Sequence, residues 1–109
     1  MSDQLDSEPA KNLTSNARIL FEENMDNIVD DAENSEIAIS NHLKSQGIEP
    51  NLETILSHIN GFMSGLIWHY YEVNHNRILN PDEQRDLSNL LKRRAFELRH
   101  AFVSLRIIE

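Results

Sequence analysis

The residues with the clearest capacity for chemistry are two Glu-x-x-His pairs, Glu72 with His75 and Glu97 with His100. Residues three apart share one face of a helix, and carboxylate-bridged di-metal bundles use this spacing for their ligands. Such a centre also needs two further carboxylates that project inward, whereas both pairs here fall outside the apolar stripes of their segments. A carboxylate and histidine metal site is therefore an alternative, and the sequence assigns no cofactor, metal ligand or catalytic residue.

A second chemical candidate is the pair Arg94 and His100, separated by five residues. This spacing resembles the Arg-x4-6-His element of the HEPN superfamily of all-helical, often dimeric ribonucleases. The resemblance covers seven residues and implies that His100 transfers protons while Arg94 neutralises phosphate at a dimer cleft. The chain departs from that family at Ala95, where a polar residue is common.

Arg94 also has a structural interpretation, because it falls within the core stripe of its segment. An unpaired buried guanidinium is costly, so we expect the side chain to reach solvent or to pair with a carboxylate. The candidate carboxylates are Asp26, Asp30 and Glu72.

Two acidic clusters resemble the EExxD and ExxD patterns with which helical nucleotide pyrophosphohydrolases hold Mg²⁺. The first cluster contains Glu22, Glu23 and Asp26, and the second contains Glu83 and Asp86. The second cluster follows a helix start, where the helix dipole already favours carboxylates.

Three amphipathic segments would position these residues. The first runs from Leu13 to Gln46 and ends at Gly47, with a stripe that is weakest near Ser35, where the helix could break. Its apolar positions recur at spacings of three and four. The polar residues 1–12 before it are predicted to be a disordered tail. The apolar positions of the stripe are Leu13, Ala17, Phe21, Met25, Ile28, Ala32, Ile39 and Leu43.

The second segment runs from Asn51, the expected N-cap, to His75 and is the most apolar of the three. Its opposite face contains Gly61, Gly65 and Trp68. Glycine inside a helix costs roughly 0.8–1 kcal/mol relative to alanine, so two of them indicate a close helix approach. We expect packing against the third helix, with a homodimer contact as the alternative. The predicted core stripe is Leu52, Ile55, Leu56, Ile59, Phe62, Met63, Leu66, Tyr70 and Val73.

The third segment begins at Asn80-Pro81, where Asn80 caps, Pro81 occupies the first helical position and Glu83 completes a capping box. It is expected to run to about Arg106. A second apolar stripe lies outside its core stripe and would be exposed in a monomer, so it predicts an oligomer contact or a partner site. The members of this second stripe are Phe96, Val103 and Ile107, with His100 between them.

The composition and the charge distribution disfavour some classes of function. The net charge is −8, with ten acidic residues in residues 1–36 and a small basic excess in residues 81–109. This asymmetry predicts antiparallel packing of the first helix against the last, and it disfavours nucleic-acid binding. The chain contains no cysteine. No stretch approaches the roughly 20 apolar residues of a membrane span, and we expect a soluble, cytoplasmic protein.

Together these patterns predict an all-α protein in which residues 13–109 form one domain. The expected architecture is an antiparallel three-helix bundle, or a four-helix arrangement if the first helix breaks near Ser35. The predicted function is protein–protein interaction, as a homo-oligomer or as a regulatory or adaptor subunit that binds a protein partner. The alternative is a small helical enzyme or metal-binding protein that uses the residues described above.

Overall fold

The computed structural model describes the backbone of residues 12–108 and the side chains of residues 12–105. This part of the chain is entirely helical apart from turns and short connections, which confirms the all-α class. The four helices are α1 (Ser15–Asp30), α2 (Ala32–Ser45), α3 (Leu52–His75) and α4 (Pro81–Ile108). The predicted tail lies almost wholly outside the described residues.

The first predicted helix is divided into two helices. The helical conformation is interrupted at Asp31, four residues before Ser35. The backbone of Asp31 has φ −121° and ψ 49°, outside the helical region. The segment Asp30–Glu36 is strongly polar, so little apolar burial holds a continuous helix together there. The side chain of Asn34 donates to the Asp31 carboxylate at 3.0 Å, and this contact stabilises the junction. The four-helix alternative is therefore the observed count.

Cross-helix contacts establish the topology. The backbone N–H of Thr14 donates to the Tyr71 hydroxyl at 3.0 Å, so the start of α1 lies beside the end of α3. Arg18 pairs with Asp86 near the start of α4, and Asp26 pairs with Arg94 further along it. Helices α1 and α4 therefore run parallel, and the expectation that the first helix packs antiparallel to the last one is wrong. The chain reverses its direction between α2 and α3 and again between α3 and α4, and two reversals return the last helix to the direction of the first.

The buried core draws on all four helices and on the connection before α4. Helix α3 contributes Ile67 and Tyr71 where the sequence predicted Phe62 and Val73, whose side chains are 48% and 65% exposed. Buried positions of α3 recur at every fourth residue, so the buried face turns by about 40° per step around the helix. The buried apolar residues are Leu13, Ala17, Phe21, Met25, Leu43, Ile55, Ile59, Met63, Ile67, Tyr71, Leu79, Leu87, Leu90, Leu98 and Phe102.

Local signals at the helix ends match the sequence expectations. Asn51 caps α3, and its side chain accepts from the Thr54 N–H at 3.0 Å. Asn80 and Glu83 form the predicted capping box, with distances of 2.8 and 3.0 Å between side-chain oxygens and backbone nitrogens. Gly47 follows α2 with φ +76°, a left-handed conformation that favours glycine. Of the four described helices, none has the length and apolar composition that crossing a bilayer requires.

Candidate functional site

The outer face of α3 is uncharged over most of its length. No Asp, Glu, Lys or Arg occurs between Glu53 and Glu72. The outward face of a surface helix normally carries charged and polar residues, whereas an uncharged outer face is typical of a contact surface. The composition of this face is therefore typical of a surface that contacts another molecule.

Four residues define the centre of this face, and we call them the α3 seam: His58, Phe62, Gly65 and His69. Their spacing of four, three and four is that of a helix–helix contact seam. The Phe62 ring is 48% exposed, Gly65 and His69 are exposed, and His58 is half-buried. Sequence reasoning missed His58, Phe62 and His69 as surface residues. Their spacing and the absence of charge around them were signals that could have identified them.

The glycines of α3 face open space. A Cβ atom added at Gly61 or Gly65 would meet no described heavy atom within 4 Å. The expectation that these glycines pack against the third predicted helix is therefore wrong. Both positions cost helix stability without an intrachain contact to explain them. The homodimer alternative for this face stays a prediction.

Trp68 does not belong to the seam. Its side chain is half-buried and packs against the core. It lines a shallow cavity with Ser64 of α3 and with Leu87 and Leu91 of α4, on the side of α3 that faces α4. The three predicted interface residues of this helix thus divide between an open face and an intrachain contact.

A groove between α2 and α3 adjoins the seam at His58. Two shallow cavities of about 410 and 250 Å³ both have His58 in their lining. The exposed apolar side chains Ile48 and Phe62 line the first and the second cavity, respectively. The imidazole of His42 on α2 lies opposite that of His58, with ring centres 5.1 Å apart and planes inclined by 54°. The seam and the groove together form one surface that has few charges.

The predicted second stripe of α4 is partly exposed. Phe96 is 82% exposed, His100 is exposed and Val103 is half-buried, while the side chain of Ile107 lies outside the described residues. The four helix neighbours of Phe96, at three and four residues on either side, are basic residues or histidine: Lys92, Arg93, Arg99 and His100. Arg99 pairs with the exposed Glu53 at 2.7 Å. The Phe96 surface is therefore apolar at its centre and basic around it.

Arg94 occupies a structural position. Its side chain is 15% exposed, and the guanidinium donates to Glu22 and Asp26 at 2.8 Å and to Glu97 at 2.7 Å. Burial alone would lower the pKa of Arg94, but the hydrogen bonds to these three carboxylates outweigh burial and raise it above the usual value. Asp26 was among the predicted partners. The charge that a ribonuclease would direct at phosphate is already neutralised here, and His100 lies on the outward face of the helix.

The structure does not bring together the residues of the other predicted sites. Among the described residues, no group of three or more histidine, aspartate or glutamate side chains is placed to hold a metal ion. Glu97 is paired with Arg94, and the His75 ring packs 4.9 Å from the Tyr71 ring. Glu83 and Asp86 are engaged by Arg77 and Arg18, at 2.7 and 2.9 Å. These carboxylates therefore form ion pairs that stabilise the fold.

Comparison with known proteins adds no relative: no protein-family model, curated protein or solved structure matches this chain.

Proposed function

We propose that this protein is a small interaction module that self-associates through the α3 seam. The observation that supports this proposal is the seam itself: an uncharged, solvent-facing stripe whose central glycine leaves open space. Isolated helix-destabilising glycines on a charge-free face are explained if a second helix approaches there, because glycine permits close approach of two backbones.

An antiparallel, two-fold arrangement of two α3 helices gives the seam a self-complementary register. With the axis passing between Met63 and Ser64, Phe62 lies over Gly65 of the partner subunit, and the same contact occurs a second time. His58 then lies opposite His69 of the partner subunit. Two-fold contacts are isologous, so one complementary pair supplies two. A large side chain facing a glycine at each repeat also gives the alternation of large and small residues that packs helices closely.

The contact would bury the half of each Phe62 ring that is exposed in the single chain. Full burial of a phenylalanine side chain is worth about 1.5–3 kcal/mol, so each exposed half contributes roughly 1 kcal/mol. No charged side chain between Glu53 and Glu72 has to be desolvated. The walls of the adjoining α2–α3 groove extend the surface that a second copy can cover.

The Phe96 surface is less suited to a two-fold contact between copies. Symmetric packing there would place Lys92 and Arg93 close to basic residues of the second copy, and like charges in contact are unfavourable. Phe96 is therefore a matched control for Phe62, since both are exposed phenylalanines on the outer faces of long helices.

The test is the solution mass of Phe62→Asp, measured by light scattering over a range of protein concentrations. We expect the wild type to reach a dimer, Phe62→Asp to remain a monomer with unchanged helicity, and Phe96→Asp to behave as the wild type. If Phe62→Asp still forms a dimer and Phe96→Asp does not, the interface lies on α4 and not on the α3 seam. A wild type that is monomeric at every concentration would refute self-association.

Gly65→Ala adds a test in which two effects have opposite signs. The added methyl meets open space in the single chain, so the free energy of monomer unfolding should rise by about 0.5–1 kcal/mol. The same methyl occupies the space that Phe62 of the partner subunit requires, so the dimer should weaken. A variant that is more stable and associates as tightly as the wild type would show that Gly65 is not at the contact.

A further inference from the structure

The His42–His58 pair is a cluster of metal-ligating side chains of which the proposed dimer contact uses only His58. The two imidazoles come from different helices, and their ring centres lie 5.1 Å apart. His58 lines the α2–α3 groove. Among the described residues, neither imidazole makes a hydrogen bond to a protein group. Their nitrogen atoms are therefore available to a ligand from outside the chain.

The separation of the two rings is that expected for two imidazoles on one tetrahedral metal ion. Zinc binds imidazole nitrogen at about 2.0–2.1 Å, and a tetrahedral ligand angle then places the two ring centres about 5 Å apart. The observed separation is 5.1 Å, and the rings are inclined to each other by 54° rather than stacked. His42 is exposed and the groove is open to solvent, so an ion can enter without unfolding the bundle.

Within the part of the chain that the structure describes, a single copy offers only these two ligands. No third histidine, aspartate or glutamate joins them among the described residues, since no group of three is found there. Two imidazoles leave two positions of a tetrahedral ion to water or to another molecule. The site is incomplete in the monomer.

The register of the proposed dimer supplies the missing ligand. In that register, His58 lies opposite His69 of the partner subunit, and His69 is an exposed residue of the same uncharged seam. We infer that the dimer binds two Zn²⁺ ions, each held by His42, His58 and His69 of the partner subunit, with the fourth position open to water. This inference rests on the proposed function, because the third ligand exists only in the dimer.

Metal binding would then regulate association. An ion that binds the dimer with three ligands and the monomer with two binds the dimer more tightly, so by linkage it must favour dimer formation. Imidazole is a suitable ligand for zinc, copper and nickel, and Co²⁺ can replace Zn²⁺ as a spectroscopic probe of tetrahedral coordination.

The experiment uses the full chain without a histidine tag and titrates ZnCl₂ by calorimetry, with light scattering on the same samples. We expect one Zn²⁺ per chain and a dimer association constant that rises by at least about tenfold with zinc. His42→Ala should abolish zinc binding while leaving the zinc-free dimer intact, because His42 lies on α2 outside the seam. His69→Ala should lose the effect of zinc on association and the tetrahedral Co²⁺ spectrum. His100→Ala, a change at an exposed histidine on α4, should match the wild type.

The outcomes separate the metal site from the dimer. A dimer that forms without metal and neither binds zinc nor tightens with it overturns the metal site and leaves the proposed function standing. Zinc binding that is identical in His69→Ala and in the wild type overturns the role of the partner subunit. A chain that remains monomeric with and without zinc overturns both proposals.

Discussion

Glu83 and Arg77 form an ion pair in which the carboxylate is completely buried. Both carboxylate oxygens accept from the guanidinium, at 2.7 and 2.9 Å, and one of them also accepts from the Asn80 N–H at 3.0 Å. The Arg77 guanidinium lies 5.1 Å from the centre of the Tyr71 ring, and the Tyr71 hydroxyl accepts from the Thr14 N–H. One network thus joins the beginnings of α1 and α4 to the end of α3.

Removing Arg77 should destabilise the bundle, because it leaves the Glu83 carboxylate buried without its cation. We expect Arg77→Ala to lower the free energy of unfolding by about 2–3 kcal/mol. Arg85→Ala is the matched control, since Arg85 is 70% exposed and pairs with the partly exposed Asp82. Its cost should stay within about 0.5 kcal/mol. Urea denaturation followed by circular dichroism measures both values, and equal costs would contradict the structural role of the buried pair.

The same carboxylate should make stability depend on pH. Burial alone would raise the pKa of Glu83, but hydrogen bonds from Arg77, Asn80 and Tyr71, with the charge of Arg77, hold the pKa below its usual value. A lowered folded-state pKa means that the stabilisation is present above the unfolded pKa of about 4.3 and is lost as pH falls through the folded value.

Glu83→Gln isolates this contribution, because the amide keeps the size of the side chain but cannot ionise. The wild type should be more stable than Glu83→Gln at pH 7 by about 1–2 kcal/mol. The difference should shrink as the pH falls below the unfolded pKa and through the lower folded value. Denaturation of the two proteins across this range measures it, and a difference that is constant with pH would rule out ionised Glu83 as the cause.

Arg94 should contribute to stability through the α1–α4 contact. Arg94→Met keeps an aliphatic side chain but leaves Glu22, Asp26 and Glu97 close together without a cation, so we expect a loss of about 1–2 kcal/mol. Arg93→Met changes the exposed neighbour, for which the described residues provide no ion pair, and should cost under about 0.5 kcal/mol.

A ribonuclease role for Arg94 would give a different pattern. In that case Arg94→Met and His100→Ala would both abolish RNA cleavage by the wild type while stability changed little. Cleavage of a short single-stranded RNA by the three proteins, measured beside their unfolding free energies, distinguishes the two roles of Arg94.

The sequence determined the elements whose causes are local. The Asn80–Glu83 capping box, the Asn51 cap and the end of α2 at Gly47 act within one helical turn, so residue types at fixed spacing predict them. The early part of the first stripe, from Leu13 to Met25, is buried as its periodicity indicated. A break near Ser35 was also predicted, because a polar run gives a helix little apolar surface to bury, and the structure has the break four residues earlier, at Asp31.

Tertiary structure alone decided which face of α3 points outward. Leu, Ile, Phe and Tyr occur around most of this helix, so periodicity could not separate the buried Ile67 and Tyr71 from the exposed Phe62 and Val73. That choice depends on where α1, α2 and α4 lie, and it is made by contacts between residues far apart in the chain. The same contacts left open space beside Gly65. They also brought the ring centres of His42 and His58, which lie on different helices, to 5.1 Å from each other. Burial and ligand geometry are properties of the packed helices, and no local pattern specifies them.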